Sequence, residues 1–356
     1  MVYWLQSIDK GYVTMINFRN DYSAGAHPAV MDALLRSNMD ITPGYGMDTY
    51  CTAAADKIRA LCAAPDAEVH FFVGGTQVNK TALGAFLRPY EAVIAADTGH
   101  ISVHEAGAIE QDGHKIIHCS TPDGKLTGDI IRTVVRSHNG EMMVSPRLVY
   151  ISNTTEVGTV YSLRELQDLS RVCRELGLLL YCDGARLGSA MTVTGADTTF
   201  ADYAACCDAF TIGGTKNGLL FGEALIVTNH SVTSGFRSCM KQQGAILSKD
   251  RLLGVQFDAI LTDDLYLKLA DHANRLAEYV AEGLAALGVP MLTQSPSNQL
   301  FPIFSNDVVE ALRKEVAFEV IEPVGDDRTC IRFVTSWETT REDADALLAA
   351  IKRLCA

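Results

Sequence analysis

The sequence predicts an α/β protein with a large, mostly parallel sheet domain followed by a small C-terminal α/β domain. Three observations carry that prediction. Short, largely apolar runs such as "VHFFV", "AVIAAD" and "LLLYCD" read as strands covered by helices on both faces. Segments with apolar residues at helical spacing separate them, which is the βαβ rhythm of a parallel sheet. Near residue 255 this alternation gives way to a long helical stretch and then to short strands of a different texture. At 356 residues the chain has room for roughly two domains. They are expected as an N-terminal arm over residues 1–25, a large domain over 26–255 and a small domain over 256–356.

Each element follows from local pattern. After "VHFFV" comes the helix "TQVNKTALGAFL", with Val78, Leu83 and Leu87 spaced for one face. "AVIAAD" reads as a strand and "HISVHEAGAIEQ" as a helix, followed by the strand "KIIHC" and the helix "DIIRTVVRS". The strand "RLVYIS" leads to "SLRELQDLSRVCRELG", which Ser162 opens with Glu165 three residues on as a capping box. "LLLYCD" and "AFTIGG" complete the parallel set. Beyond residue 255 one long helical stretch is expected to break near Thr262–Asp264 and to end at Gly288, ahead of Pro290. "NQLFPIFS", "FEVIEP" and "CIRFVTSW" read as an antiparallel sheet, and Thr340 with Asp343 caps the last helix.

Composition narrows the function. A net charge of −13 repels phosphate backbones and anionic lipid surfaces, so nucleic acid and membranes are not expected partners. No window approaches the roughly 18 apolar residues of a membrane span, and the opening residues lack a basic stretch leading into an apolar core. A cytoplasmic location is expected. The ten cysteines include no C-x-x-C and read as buried reduced thiols. His100 and His104 have the i, i+4 spacing of metal ligands but no identifiable third partner, so no metal is expected.

The stretch "FFVGGTQVNKTAL" nearly fits a nucleotide-binding P-loop, with Asn79 where the second glycine belongs, then Lys80 and Thr81. That assignment would use Asp183 for magnesium and would leave Lys216, His100, Arg186 and Arg332 without roles. Three strand ends suggest other chemistry. "FFV" runs into Gly74, Gly75 and Thr76 at a helix start, where free N–H groups and the helix dipole suit a phosphate. "LLLYCD" ends in Asp183, and "AFTIGG" leads to Thr215 and Lys216. Pyridoxal 5'-phosphate needs those three groups: a helix terminus for its phosphate, a carboxylate for its ring nitrogen and an amine for its Schiff base.

Seven segments then carry a resemblance: "GYGMD" (44–48), "GGTQVN" (74–79), "GHISVHEAGA" (99–108), "CDGARL" (182–187), "TKNG" (215–218), "MKQQG" (240–244) and "IRFVTSW" (331–337). In this order and spacing the chain resembles the L-threonine aldolases of the β-eliminating-lyase group, from about Asn20 to the final helix. The resemblance implies the aspartate aminotransferase-like fold type I and cleavage of L-threonine or L-allo-threonine to glycine and acetaldehyde. It implies that Lys216 forms the Schiff base, Asp183 pairs with the pyridine nitrogen and His100 stacks on the ring. Gly75, Thr76 and Gln77 would hold the phosphate. Arg186 and Arg332 would grip the substrate carboxylate, a task suited to the planar guanidinium, with Asn20 donating to it. Tyr45 and Lys241 match positions that reach a neighbouring subunit's site, so a homo-oligomer is implied, a dimer or a dimer of dimers.

Two departures stand out. Many family members have a histidine at the position of Thr155, close to the substrate hydroxyl, and threonine cannot titrate there. The base is therefore left among His100, Glu156 and a water held by the phosphate. "NDY" (20–22) stands where the family often reads S-D-T. Other activities of the same fold type remain as alternatives: a phenylserine-type aldolase, a β-eliminating lyase, an aminotransferase, or a non-catalytic member that keeps the scaffold.

Overall fold

The computed structural model describes residues 15–355; residues 1–14 of the expected arm lie outside them. Seven strands form the main sheet: β1 (Glu68–Phe72), β2 (Glu91–Ala96), β3 (Ile116–Cys119), β4 (Ser145–Ser152), β5 (Leu179–Asp183), β6 (Ala209–Gly213) and β7 (Glu223–Val227). Their spatial order is β1-β7-β6-β5-β4-β2-β3. All run parallel except β7, which is antiparallel to both β1 and β6. This is the predicted mostly parallel sheet, and the C-terminal ends of β1, β5 and β6 share one edge with the start of β7.

Strand alternation divides the core in two. Leu180, Cys182, Phe210, Ala224 and Ile226 pack on one face, and Leu179, Tyr181, Leu225 and Val227 pack on the other with Phe72 and Tyr150. The helix Gly75–Phe86 covers the second face through Val78, Ala82, Leu83 and Phe86. By the same alternation Asp183 and Glu223 point to this second face. The ends of β5 and β6 are pressed together where only glycine fits. A Cβ on Gly184 would lie 1.9 Å from the Thr211 carbonyl oxygen, and one on Gly213 would lie 2.4 Å from that of Ala185.

The predicted helix "HISVHEAGAIEQ" is instead two single turns, His100–Val103 and Ala108–Gln111. Ala106 and Gly107 between them take left-handed conformations (φ 50° and 73°), which interrupt the helical hydrogen bonds. The predicted capping box of Ser162 and Glu165 is present, and Gly177 ends that helix at φ 68°. The break near Thr262–Asp264 is a 3₁₀ turn, with Asp263 and Asp264 at φ 54° and 57° between the helices Arg251–Ile260 and Leu265–Ala286.

A third core joins the C-terminal helices to an antiparallel sheet in which Arg328–Val334 pairs with Ile303–Ser305 and Glu319–Val324. The start of the described chain is pinned to it. Ile16–Asn17 pairs in parallel with Val316–Ala317, and the Val334 N–H donates to the Phe18 carbonyl at 2.8 Å. Phe18 is fully buried edge-on against Phe333, 6.0 Å between centroids, worth about 1.5–3 kcal/mol. That anchor fixes where Asn20 and Asp21 emerge. No helix among the described residues is long and apolar enough to cross a membrane.

Candidate active site

Asp183, the last residue of β5, is buried yet ionised. Its Oδ2 accepts from Asn79 Nδ2 at 2.8 Å and from the Tyr150 hydroxyl at 2.7 Å, and its Oδ1 accepts from the Ala185 N–H at 2.9 Å. Burial pushes its pKa up, but the His100 charge and these hydrogen bonds outweigh it and hold the carboxyl below the ordinary range.

Asn79 is the hub of this network. Fully buried on the inner face of the Gly75–Phe86 helix, it also donates to Glu105 Oε1 at 2.8 Å and accepts from the Tyr181 hydroxyl at 2.9 Å. Glu105 Oε1 in turn meets His100 Nδ1 at 2.7 Å. Burial lowers the proton affinity of His100, but Glu105, Glu156 and Asp183 raise it by more, so its pKa stands above the ordinary value.

The end of β6 delivers Lys216. Gly214 and Thr215 donate their N–H groups to the Gly222 carbonyl at 3.0 and 3.1 Å, folding the turn back on β7. Lys216 lines a cleft with Asp21, Ala185, Arg186 and Asn298, and no side chain among the described residues hydrogen-bonds its Nζ.

Arg186 is held by an acid far from it in the sequence. It does not pair with Asp183; its Nε and Nη2 grip Asp21 at 2.7 and 3.0 Å, and Asn298 Nδ2 adds a third bond to Asp21 at 3.0 Å. Burial works against both charges, yet the pair wins: Asp21 is held below and Arg186 above its ordinary pKa. With two of its nitrogens held by Asp21, Arg186 has Nη1 left for an anion. Arg332 is close enough for Arg186 to act on it, and burial together with that like charge lowers its proton affinity. Its Nη1 and Nη2 make weak contacts with Gln299 (3.4 Å) and Glu319 (3.3 Å), and its buried Nε has no partner among the described residues. Two neighbouring guanidiniums with a donor unused are a seat for a carboxylate.

The helix Gly75–Phe86 starts without a side-chain cap. The first helical bond runs from the Val78 N–H to the Gly74 carbonyl, leaving the N–H groups of Gly75, Thr76 and Gln77 to project forward. A Cβ on Gly74 or Gly75 would meet nothing within 4 Å, so the cradle is open. The Gln77 side chain turns back instead, accepting from the Val73 N–H at 3.4 Å and donating to the Gln243 carbonyl at 3.5 Å. The P-loop assignment fails here. Lys80 turns to Gln111 (2.8 Å) and Asp112 (3.6 Å), and Thr81 is buried.

Other predicted residues lie at or beyond the rim. Asn20 Oδ1 closes its own turn, accepting from the Tyr22 N–H at 3.0 Å and the Ser23 hydroxyl at 2.8 Å, so only its amide NH₂ could face an anion. Tyr45 is exposed at φ 62°, with Lys241 Nζ 5.1 Å from its ring centre, and neither lines the Lys216 cleft. Thr155 is buried, and its hydroxyl is held by that of Thr159 at 2.7 Å. Glu156, next to it, lines a second recess with Gly99, Tyr150 and Thr155.

Sequence reasoning overlooked Asn79 as a site residue, and with it Glu105, Tyr150, Tyr181 and Asp21. One signal was present: Asn79 follows Val78 and precedes Ala82 on what is the buried face of its helix, where a polar side chain needs a partner. The assembled donors fit pyridoxal phosphate. The open helix start takes a phosphate, ionised Asp183 suits a protonated ring nitrogen, Lys216 offers an amine, and the orphaned Arg332 Nε suits an amino-acid carboxylate.

Comparison with known proteins identifies the family and the fold. The family described as beta-eliminating lyase matches residues 17–338. A low specificity L-threonine aldolase of Pseudomonas aeruginosa is 35% identical over 338 residues, 94% of this chain and 96% of its own. One from Saccharomyces cerevisiae is 27% identical over 82% of this chain and 74% of its own. A solved threonine aldolase of Leishmania major superposes with a TM-score of 0.94 at 46% identity, covering 96% of this chain and 99% of that one. An aspartate aminotransferase of Thermus thermophilus shares the fold, with a TM-score of 0.69 at 16% identity over 96% of this chain and 92% of its own.

Proposed function

This chain belongs to the beta-eliminating lyase family, and on that premise we propose that it cleaves L-threonine and L-allo-threonine to glycine and acetaldehyde with pyridoxal 5'-phosphate. The observation that carries the proposal is the convergence of ionised Asp183, Lys216 and the Arg186 and Arg332 pair at one edge of the sheet. When bound, pyridoxal phosphate supplies an electron sink for the negative charge left on the substrate's α-carbon.

The chain's own residues do the rest. The N–H groups of Gly75, Thr76 and Gln77 would hold the phosphate, Asp183 would accept a charge-assisted hydrogen bond from the protonated ring nitrogen, and Lys216 would supply the amine that binds the cofactor. Arg186 Nη1 and Arg332 Nε would fix the substrate carboxylate and so orient the bonds at the α-carbon. With the Cα–Cβ bond so placed, loss of the β-hydroxyl proton breaks it, the aldehyde departs, and a proton returned to the α-carbon leaves glycine. Glu156 is the acceptor assigned to the hydroxyl proton: it lines the adjoining recess, and its charge is felt at His100, Arg186 and Arg332. The carboxylates around His100 raise its proton affinity, and it is not assigned the hydroxyl proton.

A homo-oligomer and a cytoplasmic location belong to the same proposal. Met39, Ile41 and Met47 flank Tyr45 and are 85%, 101% and 68% exposed, an apolar surface that a second copy would cover. The test is product analysis of the cofactor-loaded protein on three substrate sets. Acetaldehyde and glycine from threonine are expected. Release of ammonia, turnover confined to phenylserine, or amino transfer to a keto acid would replace the proposal with one of its alternatives.

A further inference from the structure

One buried ionisable group has no part in that chemistry. Glu223 opens β7, pairing with Phe72 at the end of β1 on one side and with Gly213 at the end of β6 on the other. The phosphate cradle of Gly74 and Gly75 follows Phe72, and the Lys216 turn follows Gly213, so Glu223 stands between the two. It is 5% exposed and points to the sheet face that also bears Asp183 and Tyr181. Its Oε2 is buried without a hydrogen-bond partner among the described residues. Burial is the main influence on its pKa, pushing it up to about 8; Asp183 pushes the same way, while Thr215, Lys216 and the Gly214 N–H pull back.

A carboxyl that keeps its proton in such a place is a donor as well as an acceptor. The Oε2 hydroxyl then has no acceptor in the structure, and an unsatisfied buried donor costs about 1–3 kcal/mol. A phosphate oxygen at the neighbouring helix start would satisfy it. We propose, building on the cofactor assignment above, that Glu223 is a cofactor-binding residue whose protonated carboxyl donates from Oε2 to the bound phosphate, so that loading is linked to one proton. The charged and titratable groups facing it are Asp183 and Tyr181 from β5, Lys216 from the turn after β6 and Tyr266 from the helix Leu265–Ala286. A phosphate is already largely a dianion above pH about 7. Ionising Glu223 therefore removes a donor and sets a carboxylate against it.

The probe is pyridoxine 5'-phosphate, which keeps the phosphate but has no aldehyde to react with Lys216. Its affinity for the cofactor-free protein is measured from pH 6 to 9.5, for the wild type, Glu223→Gln and Glu223→Ala, with thermal unfolding to establish that each is folded. The wild type should weaken as pH rises past about 8, approaching tenfold per unit. Glu223→Gln, whose amide can still donate, should match the wild type at pH 6 and lose this decline. Glu223→Ala should bind about tenfold more weakly at pH 6 and show no such decline. Equal pH slopes in wild type and Glu223→Gln would overturn the proposal while leaving the cofactor assignment intact. A wild type that ignores the compound at every pH would remove both.

Discussion

Asn79→Asp tests the buried network most sharply because it changes no shape. The amide's two hydrogens go to Glu105 Oε1 and Asp183 Oδ2, each at 2.8 Å. Aspartate would put an acceptor against two carboxylates, and its escape is to bind a proton. Keeping a carboxyl of ordinary pKa about 3.9 protonated at pH 7.5 costs about 1.4 kcal/mol per unit, or about 5 kcal/mol. The bound proton restores one of the two bonds; the other, to a charged group, is worth about 1.5–3 kcal/mol. The loss is therefore about 6–8 kcal/mol at pH 7.5, a large part of an ordinary domain's stability. Its sign with pH is fixed. An acid whose folded pKa is raised costs nothing below its unfolded value, and the cost grows as pH climbs toward the folded one. At pH 5.5 the loss should shrink to about 4–5 kcal/mol. Urea unfolding of the cofactor-free wild type and variant, followed by circular dichroism at several pH values, reads this directly. A stability difference that stays constant with pH would refute the network as described.

Other outcomes follow from single contacts. Gly184→Ala should yield little folded protein, at a cost of about 3 kcal/mol or more, because its Cβ would sit 1.9 Å from the Thr211 carbonyl; recovery at normal melting temperature would contradict the close approach. Gly75→Val should change cofactor-free stability by less than about 1 kcal/mol, since its Cβ faces open space, yet weaken binding of a phosphorylated pyridine about tenfold by titration. Arg332→Gln should lower kcat/KM for threonine about 10- to 100-fold, the worth of a charged hydrogen bond, with cofactor loading unchanged in the visible spectrum. Glu156→Gln should lower kcat about 100-fold or more with little change in KM if Glu156 takes the hydroxyl proton.

The parts of the site that were legible in the sequence sit at strand ends. An apolar run that stops at Asp183, or just short of Lys216, announces a polar group at the sheet edge, and an uncapped Gly74–Gly75 start announces an anion seat. What was hidden depends on partners distant in sequence. Asp21 and Arg186 are 165 residues apart, and the anchoring of Ile16, Asn17 and Phe18 on the C-terminal sheet brings them together. Asn79 looked like a flaw in a P-loop because its burial is set by how the helix lies on the sheet. The "HISVHEAG" segment carries helical spacing, but left-handed Ala106 and Gly107 divide it, and that division places Glu105 under His100. Glu223 gave no signal at all, being one acid at the start of an ordinary apolar strand.

The central claim, that the β6 end presents the cofactor's amine, has one direct measurement. The loaded protein is reduced with borohydride, digested and examined by mass spectrometry for a phosphopyridoxyl group. The account predicts that label on the peptide containing Lys216, and its loss from that position in Lys216→Ala. A label on Lys241, Lys80 or another lysine, or none in a wild type that has visibly bound the cofactor, would contradict it.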